Sequence, residues 1–450
     1  MKDSKRIQNQ EASGRSGASG VVRGGRVVEA ASTLQVPFDP QARIGEDRDE
    51  VRDLFIRDGK ISEAFDGPYD FEIDASDLLV MPGFVDLHCH LRDPGQEYKE
   101  DILSGAASAA AGGFTSIACM PNTVPVIDNK AIVSYVLDKA KAAAVHVYPI
   151  GAVTKRQDGV ELAEMGQMKQ AGIVAVSDDG APVSTADRML KGMQYASDFG
   201  LVVIDHCEEP SLRGGTMNEG SASTRMGEHG IPSVAEDIIV ARDILIAEYL
   251  DLPVHLAHVS TARSISLIRE AKARGVKVTA ETCPHYFSLT EEACLSFNGL
   301  FRVNPPLRRE EDRLAVIEGL KDGTLDCLAT DHAPHHKDEK EIEFSLAKNG
   351  MIGFETAFAL AWTWLVEPGT LTATDLVRIL AANPAAFLRI SAGSLQPGSP
   401  ADLTIADPQA RYTYDRSKAV SKSKNSPYDG FALQGKIVAT ITEGRLVYQA

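Results

Sequence analysis

The stretch MPGFVDLHCHLRDPG, residues 81–95, carries both halves of the problem. Its first part, GFVDLHCH (83–90), is a short apolar run bounded by turn residues. Such a run reads as a strand buried on both faces. Its second part turns polar: His88 and His90 stand one residue apart, and Arg92 follows. Alternate residues leave a strand on the same side, so both imidazoles can reach one point in space.

Seven more runs of the same kind follow: FTSIACM (114–120), VHVYPIGAV (145–153), GIVAVSD (172–178), LVVIDHC (201–207), PVHLAHV (253–259), KVTAET (277–282) and LDCLATD (325–331). Helical patterns such as KEDILSGAASAAAGG and VAEDIIVARDILIAEYL lie between most of them. Apolar strands alternating with helices predict a parallel sheet covered on both faces. Eight repeats predict an α/β fold of the (β/α)8 TIM-barrel type over residues 81–393. An open doubly wound sheet competes, but no GxGxxG follows the first strand.

The flanks read differently. Residues 21–80 and 394–450 are short strands and turns, and GSLQPGSPADLTIAD (393–407) marks the passage out of the barrel. Residues 1–20 are polar, Gly/Ser-rich and without an apolar core segment, which predicts a disordered tail and no signal peptide.

A formal charge of −17 argues against a nucleic-acid partner and against a polybasic membrane anchor. No apolar run reaches the roughly 18 residues of a membrane span. Six scattered cysteines without a CxxC pair fit a reducing, cytoplasmic setting.

Unusual polar residues fall at the ends of these strands: His88 and His90, Asp178 and Asp179, His206, His258, and Asp331. In a barrel those ends share one face, where active sites sit. Imidazoles and carboxylates bind Zn²⁺ at sites that keep a position open for water, and a shared carboxylate lets a second metal sit nearby. One histidine after an apolar run is an ordinary packing residue, and His146, His229 and His255 are read that way. Asp205 reads as a turn cap, and Cys89 and Cys207 as packing neighbours. Five separate strand ends with the right residue types are a different matter.

DLHCHLRDPG, with MPNTVPV, SDDGAPV, DHCE, HVST, NPPLR and ATDHAPHHKDEK, resembles the dihydroorotases of the amidohydrolase superfamily, most closely the longer bacterial class I type. The HxHxR pattern together with DxAPH-x4-K, running from Asp331 to Lys340, carries the resemblance, which spans about residues 50–450.

The resemblance implies one or two zinc ions held by His88, His90, Asp179, His206, His258 and Asp331. Asp179 takes the bridging place that a carboxylated lysine fills in many relatives, with Asp178 as the neighbouring alternative. Beside His90, Arg92 and Asn122 would hold the substrate carboxylate, matching it with a guanidinium fork. Asn304, His335, Asn349 and Gly350 would complete the pocket. Without the resemblance, Arg92 reads as a surface salt bridge to Asp93 or Glu97, Asn122 as a turn residue, and Asn349–Gly350 as a turn before a helix.

The implied reaction is zinc-dependent, reversible closure of N-carbamoyl-L-aspartate to L-dihydroorotate in pyrimidine synthesis, with Asp331 as the proton carrier. The terminal strand regions would pair into a small β-sandwich. A homodimer is expected, and a complex with aspartate transcarbamoylase is compatible with the resemblance. Two rivals remain: a sister cyclic amidase (allantoinase or dihydropyrimidinase), and a non-catalytic partner of aspartate transcarbamoylase. Arg92, Asn122 and the aspartate in the bridging place count against the first, and the full ligand set against the second.

Overall fold

Runs buried on both faces have nowhere to satisfy their backbone except against one another, and they do so in parallel. The computed structural model describes residues 7–9, 18–34 and 46–450, and the architecture is mixed α/β. Three strands, β1 (Phe84–Cys89), β2 (Phe114–Cys119) and β3 (His146–Pro149), pair in parallel in that order. Five more do the same: β4 (Val176–Ser177), β5 (Val203–Asp205), β6 (Val254–Leu256), β7 (Val278–Thr282) and β8 (Cys327–Leu328). Single parallel bridges join Gly151 to Val176 and Cys89 to His332. Each of the eight apolar runs contains one of these strands. At four of the runs a residue just beyond the strand, His90, His206, His258 or Asp331, leaves the ladder to line a cavity.

The helices between them follow their sequence signals. Ile102–Ala111 starts at Asp101, whose carboxylate accepts from the Leu103 and Ser104 amides while Ser104 Oγ accepts from the Asp101 amide. This reciprocal cap satisfies donors that a helix start leaves free. The helix Val234–Leu250 packs Ile239, Val240 and Ala247 inward. Its outer face is also apolar: Val234, Ile238, Leu245 and Tyr249 are exposed.

The two ends of the chain share one nine-stranded sheet. Strand Gly20–Glu29 pairs with Arg48–Arg57 on one side, and with Phe71–Asp74 and then Leu79–Pro82 on the other. Leu79–Pro82 pairs antiparallel with Leu403–Thr413, which continues to Ala432–Thr442 and Arg445–Gln449. Val27, Ile56, Val80, Leu403 and Ile441 belong to a core separate from that around the parallel strands. Leu79–Pro82 runs almost directly into β1, so this sheet anchors the strand that carries His88.

The expected tail, residues 1–20, lies mostly outside the described residues; within it, Ile7–Asn9 pairs antiparallel with Phe71–Asp74. No helix among the described residues is long and apolar enough to cross a membrane. All six cysteines are free and buried.

Candidate active site

The strand ends converge. His88 comes from β1 and His90 from just past its end, Asp179 from the turn after β4, His206 from just beyond β5, His258 from beyond β6 and Asp331 from beyond β8. All six are nearly inaccessible to solvent. Asp179 Oδ1 lies 3.3 Å from His88 Nε2, 3.3 Å from His258 Nε2 and 3.4 Å from His206 Nδ1. Its other oxygen is 3.5 Å from His90 Nε2, and Asp331 Oδ1 is 3.1 Å from the same nitrogen. Two groups have donor atoms close enough to share one ion: His88, His90 and Asp331, and His88, Asp179 and His258. His206 Nδ1 lies 2.9 Å from His258 Nε2, at the edge of the second group.

Asp178 is turned away. It accepts from the Val153 and Thr154 amides and from Thr154 Oγ1, tying β4 to the segment after β3. Gly180, which follows Asp179, has φ +89°, and a Cβ there would come within 2.9 Å of Asn122 Nδ2. Only glycine combines that backbone with that approach, so Asp179 can turn inward beside Asn122.

The hydrogen-bond directions fit a cation. Glu281 Oε1 accepts from His88 Nδ1 at 2.8 Å, and Asn122 Oδ1 accepts from His90 Nδ1 at 2.8 Å. Each ring's Nε2 then faces the oxygens of Asp179 and Asp331, where a positive charge, a proton or a metal ion, has to sit between them. Lone pairs facing lone pairs repel unless a cation stands between them, and a carboxylate behind the imidazole is the usual support of a ligating histidine. His88 Nε2 and His258 Nδ1 are buried without a hydrogen-bond partner.

Charge follows the same pattern. Burial opposes ionisation of His88, but the Asp179 carboxylate beside it holds the imidazole well above its ordinary pKa. Burial likewise opposes ionisation of Asp179 and Asp331, yet the surrounding imidazoles hold both carboxylates well below their usual range.

Beside the cluster is a cavity of about 450 Å³ lined by Arg92, Asn122, Asn304, His335, Asn349 and Gly350 together with His90, Asp179, His206, His258 and Asp331. Arg92 is no surface residue: it is 7 % exposed, donates from Nε to the Pro334 carbonyl, and points Nη2 at His335 Nε2 3.3 Å away. Asp93 pairs instead with Lys139. Burial lowers the Arg92 pKa to about 10. His335 Nε2 lies 2.8 Å from the Asn349 carbonyl, and burial with the nearby Arg92 and Lys99 charges keeps the ring neutral. Asn304 Nδ2 reaches His206 Nε2 and Glu208 Oε2.

Arg92, His258 and Asp331 have φ of 61°, 37° and 45°. Non-glycine residues rarely take this left-handed backbone, and it gathers at working sites where packing over-determines it.

Asp205 caps no following turn: it is buried and bonded to Arg242 Nη2 at 2.9 Å and to the Val183 amide. His255 and His146 make structural contacts, the first to Thr279 and Glu281, the second to Asp402. Four residues next to the cluster or the cavity were missed in the sequence. They are Glu281 behind His88, Glu208 beside His206, Lys99 3.5 Å from His335 Nδ1, and Asn425, which bonds Ala333, His335 and Gly350. Glu281 carried the same signal as Asp331, a carboxylate near the end of an apolar run. Lys99 and Asn425 carried none.

A dihydro-orotase-like family model matches residues 77–264. The chain is 56% identical over 405 residues to a dihydroorotase of Acetivibrio thermocellus, covering 88% of this chain and 94% of that one. It is 52% identical to a dihydroorotase of Geobacter metallireducens, covering 95% and 99%. Among solved structures it is similar to an L-hydantoinase (dihydropyrimidinase) from Arthrobacter aurescens, with a TM-score of 0.82, 25% identity and 96% of each chain covered. It also shares its fold with a dihydropyrimidinase from Brevibacillus agri, with a TM-score of 0.79, 22% identity, and 96% and 95% covered.

Proposed function

The chain belongs to the dihydroorotase family, and we propose that it catalyses the reaction that family is named for. That reaction is the reversible closure of N-carbamoyl-L-aspartate to L-dihydroorotate, a step of pyrimidine synthesis. One observation carries the proposal: four imidazoles and two carboxylates from five strand ends cluster at a cavity, lined by all of them but the fully buried His88, that also holds a buried arginine fork and an asparagine.

The ligands would be His88, His90, Asp179, His206, His258 and Asp331, with Asp179 as the shared carboxylate and zinc as the ion, one or two per chain. Bound there, zinc supplies Lewis-acid polarisation of the substrate carbonyl and an acidified water. Arg92 and the Asn122 amide hold the substrate's free carboxylate. Asn122 Oδ1 is already taken by His90, which leaves its Nδ2 as the donor. Asn304, His335, Asn349 and Gly350 hold the ring. In ring opening, an oxygen of Asp331 takes the proton of the attacking water and passes it to the departing ring nitrogen. In closure it takes the carbamoyl N–H proton and returns it to the departing carboxylate oxygen, which leaves as water after taking up one further proton from solution.

The finer classification is class I, supported by SDDG where other superfamily members carry a lysine. We read the eight parallel strands as one (β/α)8 barrel. Support comes from the bridges Gly151–Val176 and Cys89–His332, which lie where the two parallel sets meet. The terminal segments, residues 21–80 and 394–450, are read as one β-sandwich unit, supported by their shared sheet and separate core. A homodimer is supported by the exposed apolar face of Val234–Leu250. A cytoplasmic setting is supported by six unpaired cysteines. Docking to aspartate transcarbamoylase is an expectation of the family alone, checked by co-elution.

The test is turnover by purified, metal-quantified protein on L-dihydroorotate, with allantoin and dihydrouracil in parallel. Activity confined to the latter two overturns the proposal.

A further inference from the structure

Lys340 ends the sequence pattern that begins at Asp331, and no role above uses it. The residue is 1 % exposed. Its Nζ donates to two backbone carbonyls, Lys348 at 2.7 Å and Arg302 at 3.0 Å, and it makes no ion pair among the described residues. A buried cation without a counter-charge is expensive. Burial, with the Arg302 charge nearby, lowers its pKa to about 7. The bonds survive loss of the proton, because a neutral amine still has two hydrogens for two carbonyls. Methionine of similar length would bury as well without that penalty, so the bonds themselves are what lysine contributes here.

The two carbonyls belong to two adjoining segments, remote in sequence, that each carry cavity-lining residues. Arg302 stands two residues before Asn304, and Lys348 immediately precedes Asn349 and Gly350. The Gly350 amide also donates to the Arg302 carbonyl, at 2.9 Å, and the Lys348 amide to Glu339, at 2.9 Å. Arg302 in turn donates from its guanidinium to the Phe344 carbonyl at 3.0 Å. At Gly299 a Cβ would sit 2.4 Å from the Lys340 carbonyl, so the segments touch with no side chain between them. Lys340 is where the segment leading to Asn304, the short helix Lys337–Lys340 and the segment carrying Asn349–Gly350 cross.

We infer that Lys340 is a positioning residue, clamping together the two walls that carry Asn304 and Asn349–Gly350 and so setting the pocket around the substrate ring. This rests on the assignment of those walls to substrate binding made above.

The experiment compares Lys340→Met and Asn304→Ala with the unaltered zinc-loaded enzyme on L-dihydroorotate, together with metal content and amide hydrogen exchange. In Lys340→Met, metal content stays the same, the Lys348 and Gly350 amides exchange faster, and KM rises on the order of tenfold with kcat within about threefold, the signature of lost binding rather than lost chemistry. If Asn304→Ala raises KM while Lys340→Met changes neither KM nor exchange, the inference is overturned. If Asn304→Ala leaves KM unchanged, the wall assignment itself has failed and the inference falls with it. Loss of metal and cooperative melting of the whole chain in Lys340→Met also overturns it, since Lys340 would then hold the fold rather than the pocket.

Discussion

Glu281 Oε1 lies 2.8 Å from His88 Nδ1, and both side chains are fully buried. The bond fixes which nitrogen of His88 faces the cluster. Burial would raise the Glu281 pKa, but hydrogen bonds from His255 and His88 lower it to about 2, so it stays an acceptor across the working pH range. Glu281→Gln can satisfy the ring only as a neutral acceptor. Metal affinity should fall about 10–100-fold, measured by competition with a chromogenic chelator. Unchanged affinity would show that His88 is oriented by packing alone.

Asp331 is assigned the proton transfer. Asp331→Asn should fold and retain metal through the remaining ligands while losing about 10²–10⁴-fold in kcat. Circular dichroism and metal analysis establish the first part and steady-state rates the second. Near-normal turnover sinks the assignment.

Arg92 should matter through KM. A hydrogen bond to a charged group contributes about 1.5–3 kcal/mol, so Arg92→Met should raise KM for dihydroorotate roughly 10–150-fold. Arg92→Lys should recover little, because an ammonium cannot form the planar fork. Full recovery by lysine would mean that only charge is read at this position.

Arg242 tests stability away from chemistry. It holds Asp205 at 2.9 Å and Asp243 at 2.7 Å, both fully buried. Arg242→Met strands two buried carboxylates and should lose about 3–5 kcal/mol of stability by denaturant unfolding. A loss below about 1 kcal/mol would mean that water or another donor replaces it.

The eight strands were legible because a strand buried on both faces must be apolar throughout, and the proposed ligands because each stands at or just past the end of such a run. Alternation let only one of Asp178 and Asp179 face the cluster and the family resemblance pointed to Asp179; Asp178 points the other way, into the Val153–Thr154 backbone. Pairings across the fold were not legible. Glu281 meets His88 across 193 positions, and Asn425 reaches Ala333 across 92. Arg92 looked like a surface ion pair because Asp93 and Glu97 are its sequence neighbours, while its burial depends on the distant Pro334–His335 turn. Lys340 stood in a visible pattern, but its partners are backbone carbonyls, which leave no mark in a sequence.

The central claim is a metal centre that serves one ring amide. The most direct test is hydrolysis of L-dihydroorotate, allantoin and dihydrouracil by the metal-quantified protein before chelation, after it, and after zinc is returned. Selective dihydroorotate hydrolysis that vanishes with the metal and returns with zinc is the predicted result. Dihydroorotate hydrolysis that persists in metal-free protein, or activity on the other two rings alone, would contradict the account.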